Sequence, residues 1–177
     1  MHKFKAHHFI VMHKQIDFGG GCHWCTEAVF LSLKGVQNVE QGWIASLPPH
    51  DTFSEAVIVT YDPAVIALED LMLVHLHTHA ATSNHSMRHK YRSAVYWVDA
   101  KEEVTIKEII VRLQADFTEP IITQVLPFAA FKASLPEHQN YYYHNPEKPF
   151  CTVYIHPKLQ LLKARFSNLT KQEEAAD

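Results

Sequence analysis

Hydrophobic and polar positions alternate with changing periods along the chain, and each change marks an element. Ile16-Asp17-Phe18 has the two-residue period of a short strand and runs into Gly19-Gly20-Gly21. A helix is expected from near Cys22, carrying Trp24, Ala28, Val29, Phe30 and Leu33, and ending at Gly35. Val36 to Ser46 and Glu55 to Tyr61 read as two extended segments, separated by the turn residues Pro48-Pro49-His50-Asp51. Leu68 to His79 has helical spacing, with Leu68, Leu71, Met72, His75, Leu76 and His79 on one stripe. Ser93 to Val98 is β-rich. Lys101 to Phe117 is a helix with apolar Val104, Ile106, Ile109, Ile110 and Leu113. Pro120 to Leu126 and Thr152 to Ile155 are further strands, and Leu159 to Phe166 a short helix. The order β-α-β-β-α-β-α-β predicts an α+β fold with a mixed sheet covered by helices.

Composition agrees with one globular domain. The chain has 177 residues, 47% hydrophobic and 20% charged, close to ordinary usage. This excludes a disordered or low-complexity chain. No apolar run approaches about 18 residues, so no membrane span is expected. A net charge of −3 offers no footprint for nucleic acid. Residues 1–15 read as an N-terminal extension, too short in apolar residues for a signal peptide. The catalytic domain is then 16–166, and 167–177 a solvated tail. A cytoplasmic monomer with reduced thiols is the expectation.

Three cysteines, an odd number, do not make a disulfide framework and leave chemistry as their role. The densest signal is Gly19-Gly20-Gly21-Cys22-His23-Trp24-Cys25-Thr26-Glu27. Glycines there let another molecule approach the backbone. Cys22 falls at the start of a helix, where free N–H groups and the dipole favour a thiolate. Buried inert cysteines are the plain alternative. Cys22-x-x-Cys25 also fits a redox pair, or half of a zinc site completed by Cys151 and a histidine. Glu27 lies five residues on, about 500° around a helix, so it faces Cys22 only if Cys22 precedes the helix.

These residues resemble the signature of the peptide methionine sulfoxide reductase A family, Gly-Cys-Phe-Trp, two residues, then Glu-Ala-x-Phe. The resemblance continues through Leu33-Lys34-Gly35-Val36, Glu55-Ala56-Val57 and Tyr61-Asp62-Pro63. It resumes at Lys90-Tyr91-Arg92-Ser93-Ala94, Thr123-Gln124-Val125, Phe131, His138-Gln139-x-Tyr141, Asn145-Pro146 and Cys151. It implies an α+β fold related to the ferredoxin-like plait, and thiol-dependent reduction of methionine-S-sulfoxide, free or in proteins, without a cofactor or metal. By resemblance, Cys22 is the nucleophile, Trp24 the wall for the substrate methyl, Glu27 and Tyr91 the groups at the sulfoxide oxygen, and Cys151 the resolving thiol. Cys25 is the alternative resolver. Thioredoxin is the implied reductant. A non-catalytic sulfoxide-binding module on the same fold is the reading from another class.

The departures define a divergent subgroup with a Gly-Cys-His-Trp-Cys signature. His23 replaces the usual Phe of the methyl pocket, and Trp43 a usual Tyr. Ser86 stands where an Asp precedes the Tyr-Arg-Ser motif. The oxygen end of the pocket is therefore expected to be rebuilt from His79, His85 or Ser86, with His138 ordering a nearby loop. Arg92 is assigned a structural role. Of the 14 histidines, His75 and His77 are read as helix-end or surface residues.

Overall fold

The computed structural model describes residues 11–172. The ends of the chain expected as an extension and a tail lie partly outside them. Six strands form one sheet: β1 (Lys14–Gly19), β2 (Val36–Ala45), β3 (Ser54–Tyr61), β4 (Ala94–Trp97), β5 (Gln124–Pro127) and β6 (Ala130–Ala133). Their spatial order is β5-β4-β1-β3-β2-β6. Only β4 and β5 run parallel, joined across the sheet by α3 (Glu102–Leu113). The other helices are α1 (His23–Leu31), α2 (Leu68–Thr78), the short α4 (Tyr141–His144) and α5 (His156–Arg165).

Strand periodicity explains the two faces. Ile16 and Phe18 point to the helices, where they join Phe30, Val57, Val59, Leu71, Leu76, Val95, Ile106 and Leu162 in the main core. Phe18 and Phe30 stack with centroids 4.6 Å apart. Removing either ring costs about 3–5 kcal/mol by the usual large-to-small penalty. The opposite face carries Ile44, Ala56, Ala94 and Tyr96, covered by Leu126, Phe128 and Phe131. Asp17 lies on that second face, fully buried.

Several expectations need correction. Thr152–Ile155 is not a strand. Residues Cys151–Ile155 form a π-helical turn that continues into α5. The β-branched run imitates a strand, but the inward positions are Cys151, Ile155, Leu159 and Leu162, a helical spacing, while Val153 and Tyr154 face water. Pro157 fits the first turn of α5, where no backbone N–H is needed. Strand β6 was not expected; its residues pair with β2 from Gly42↔Ala133 to Ala45↔Ala130. Beyond α5 the backbone is tied to the end of α1, with Lys34 N–H on Leu169 O at 2.8 Å and Lys171 N–H on Ser32 O at 2.8 Å. His75 is buried, not a surface residue, and the His77 ring stacks on Phe117 at 4.7 Å while bonding Asp116.

Candidate active site

Strand β1 ends at Gly19, and three glycines carry the chain to Cys22, which caps α1 in an extended conformation. A side chain at Gly20 would lie 2.5 Å from the His79 ring, so only glycine leaves room for that histidine. The turn is held from behind. His75 Nε2 donates to Gly19 O at 2.9 Å, and Arg88 Nη1 to Gly20 O at 2.9 Å. The Arg88 guanidinium also donates to Ser83 O, Ala80 O and Tyr91 O. His79 Nδ1 donates to His75 O at 2.6 Å, because a carbonyl can only accept. Its Nε2 then accepts from Ser93 Oγ at 2.7 Å. Burial holds His79 down at about 4 and His75 well below the ordinary imidazole value, so both rings are neutral props.

Cys22 is half-buried and its thiol is shifted down. The Cys25 thiol, donating to its sulfur, is the main cause. The backbone N–H groups of Cys25 and Trp24 add to it, while burial and the Glu55 carboxylate oppose. Cys25 is shifted up by the same hydrogen bond and by burial. Cys25 and Cys151 share one buried cluster with Ala28 and Ile155, and Cys22 packs against it. All three thiols are free. Burial raises Cys151 as well.

Two carboxylates lie near this helix start, in different surroundings. Glu27 is buried, and its carboxylate is taken up by β2 and the loop at 140–141. Its Oε1 accepts from Gln41 Nε2 at 3.1 Å and Tyr141 N–H at 3.0 Å, and its Oε2 from Asn140 N–H at 2.8 Å. Burial still pushes its carboxyl up against these three donors. The bonds hold Asn140 in the left-handed region, φ 55°, and place Tyr141 flat against Trp24 at 4.0 Å. Phe150 and His138 meet the Trp24 ring edge-on.

Glu55 is the other carboxylate. Its Oε2 accepts the His23 backbone N–H at 3.0 Å, and its Oε1 lies 3.6 Å from Lys90 Nζ. Lys90 also bonds the Tyr91 hydroxyl, which raises the lysine; Glu55 raises it further. Trp43 sits opposite Glu55 across the β2–β3 ladder, and the His23 ring meets Trp43 edge-on at 5.1 Å. The site thus assembles Cys22, His23, Trp24, Trp43, Glu55, Lys90 and Tyr91.

The described residues match the model of one family, peptide methionine sulfoxide reductase, over residues 14–170. The chain is 36% identical to the MsrA of Deinococcus radiodurans, with 88% of this chain and 83% of that protein covered. It is 33% identical to the MsrA of Pasteurella multocida, with 90% and 100% covered. The chain belongs to the peptide methionine sulfoxide reductase family. Its fold is that of solved members: methionine sulfoxide reductase A of Corynebacterium diphtheriae superposes with a TM-score of 0.64 at 25% identity, covering 76% of each chain. Reduced Mxr1 of Saccharomyces cerevisiae gives 0.69 at 22% identity, covering 78% of this chain and 89% of that one.

Within this family member the expected site residues separate. Cys22, His23 and Trp43 adjoin Glu55, Tyr91 is linked to it through Lys90, Trp24 stands beside His23 and stacks on Tyr141, and Cys25 with Cys151 shares the cluster that Cys22 packs against. His79 braces the turn with both nitrogens engaged. His85 Nδ1 caps a 3-10 turn by accepting from Met87 N–H, and exposed Ser86 opens that turn. His138 is exposed at the rim beside Trp24. Arg92 donates to Thr52 and Tyr96 in the interior. Reading the sequence missed Glu55 as a site residue, although its Glu-Ala-Val block carries part of the resemblance. Lys90 was missed as well, although it opens the Lys-Tyr-Arg-Ser block of the resemblance, and Arg88 and Gln41 were missed because nothing local marks them. Among the described residues no group of three or more His, Cys, Asp or Glu side chains is arranged to hold a metal. No helix among them is long and apolar enough to cross a membrane.

Proposed function

We propose that this protein reduces methionine sulfoxide to methionine, with Cys22 as nucleophile and Glu55 as the acid at the sulfoxide oxygen. The observation that carries it is the placing of Cys22, its thiol shifted down chiefly by the Cys25 thiol, at the start of α1 beside a carboxylate tied to the next residue's backbone. Trp24, stacked on Tyr141, supplies a flat apolar wall for the substrate methyl, and Tyr91 a hydroxyl beside Lys90. The thiolate gains the oxygen and the sulfoxide sulfur loses it. A proton from Glu55 ends on that oxygen, leaving a Cys22 sulfenic acid and methionine. Glu27 positions the loop that backs Trp24 and does not touch the reacting atoms.

Cys25 then condenses with the sulfenic acid, releasing water and forming a Cys22–Cys25 disulfide. Its thiol is held protonated mainly by the hydrogen bond to the Cys22 thiolate, and that cause disappears once Cys22 is oxidised. Burial restrains both Cys25 and Cys151, so the hydrogen bond that already joins Cys25 to Cys22 is what separates them. This reverses the preference for Cys151 that the resemblance carries. A dithiol reductant of the thioredoxin type restores the thiols in a cytoplasmic setting.

The test is turnover of the two methionine sulfoxide epimers with dithiothreitol, for wild type and Cys22→Ser. Reduction of the S epimer by wild type alone is expected. Activity unchanged in Cys22→Ser overturns the reading.

A further inference from the structure

His23 differs from the other rings of the site because its tautomer is set by the backbone. Its Nδ1 lies 2.8 Å from Gly42 O, which can only accept, so Nδ1 carries hydrogen in the neutral and the charged ring alike. Gly42 is held between two paired strands, opposite Ala56 of β3 and Ala133 of β6. The ring is 5% exposed and held edge-on by Trp43. Its other nitrogen, Nε2, lies 3.9 Å from Glu55 Oε2. A neutral ring presents a lone pair to that oxygen, and a charged ring presents an N–H. Phenylalanine, usual at this place in the signature, could do neither.

We infer that His23 and Glu55 form a two-residue proton store, in which His23 Nε2 returns to Glu55 the proton that Glu55 delivers to the sulfoxide oxygen. This deepens the proposed reaction and rests on it. Attack by the Cys22 thiolate reduces the sulfoxide by two electrons and oxidises Cys22 to the sulfenic acid, consuming one proton. Glu55 gives that proton and is left as a carboxylate. An N–H at His23 Nε2 replaces it, and the neutral ring takes a proton from water once the product leaves. The gap is about 1 Å longer than a hydrogen bond and closes when substrate tightens the site, as catalytic contacts in empty enzymes commonly do.

The groups facing this pair are few. Cys22 precedes His23 on α1. Lys90 and Tyr91 stand on the far side of Glu55, and His138 lies beyond Trp24. Lys90 is the competing source, but Tyr91 and Glu55 both strengthen its hold on its proton.

The test sets a single turnover of pre-reduced enzyme beside steady-state turnover with saturating dithiothreitol. Wild type, His23→Phe and His23→Gln are compared in both measurements. Both variants should lose about tenfold more in steady-state turnover than in the single turnover, which ends before a proton has to be returned to Glu55. Gln keeps a donor for Gly42 O and separates lost packing from lost proton transfer. Equal losses in the two measurements, in both variants, overturn the inference while leaving the reductase reading intact. If wild type itself leaves methionine sulfoxide untouched, the reductase reading fails. The pairing is then judged by nitrogen NMR of the His23 ring. Glu55→Gln should move the Nε2 resonance and leave Nδ1 in place; an unmoved Nε2 overturns the pairing.

Discussion

Glu55 accepts the backbone N–H of His23 at 3.0 Å, which fixes a carboxylate from β3 beside the first residue after Cys22. Glu27, one and a half turns along α1, is spent on Gln41, Asn140 and Tyr141 instead. Exchanging their roles is the sharpest test of the site. Glu55→Gln should lower kcat for methionine sulfoxide by about 10²–10⁴-fold, the span of lost general acid catalysis, with an unchanged melting temperature. Glu27→Gln should chiefly lower stability, by about 1–3 kcal/mol, because one acceptor becomes a donor facing buried N–H groups. The opposite outcome would restore Glu27 as the acid.

Oxidised single variants separate the two resolving thiols. After one turnover without reductant, Cys151→Ser should contain a Cys22–Cys25 disulfide by mass spectrometry. Cys25→Ser should retain a Cys22 sulfenic acid that dimedone captures. A Cys22–Cys151 disulfide formed equally fast in Cys25→Ser would return the role to Cys151.

The Cys22 thiolate should persist below the range of an ordinary cysteine, about 8.5. Alkylation of Cys22 by iodoacetamide, followed against pH, should therefore reach half its maximum at a lower pH than free cysteine. Cys25→Ala removes the leading cause of that shift and should move the midpoint upward. No movement would show that the helix start alone sets it.

Asp17 gives a stability prediction away from the site. It is fully buried, its carboxyl bonded only by Gln15 among the described side chains, and burial pushes it up from 3.8 to about 8. The folded state holds this proton more tightly than the unfolded state. The stabilising contribution is complete below the unfolded value and drains away as pH rises to about 8. Asp17→Asn keeps an acceptor for Gln15 and cannot ionise. Its melting temperature should gain on wild type by about 3 °C or more between about pH 5 and pH 9. A constant difference across that range would refute the buried proton.

Much of this protein follows from local sequence. The two-residue period at Ile16-Asp17-Phe18 and the helical stripe of Leu71, Leu76 and their neighbours are local signals, so strands and helices are read directly. The glycine run, Cys22, Trp24 and Cys25 are contiguous, and so are the groups that shift the Cys22 thiol down. What the sequence left open depends on groups far apart along the chain. Thr152–Ile155 has strand composition, but the cluster of Cys25 and Ala28 rewards a helical face carrying Cys151 and Ile155. The choice between Glu27 and Glu55 rests on which carboxylate meets which N–H. Those contacts span 114 positions for Tyr141 with Glu27 and 32 for His23 with Glu55. The chain marks its candidate nucleophile by itself; only packing decides which carboxylate stands beside it, because a carboxylate's task is set by the donors and burial around it.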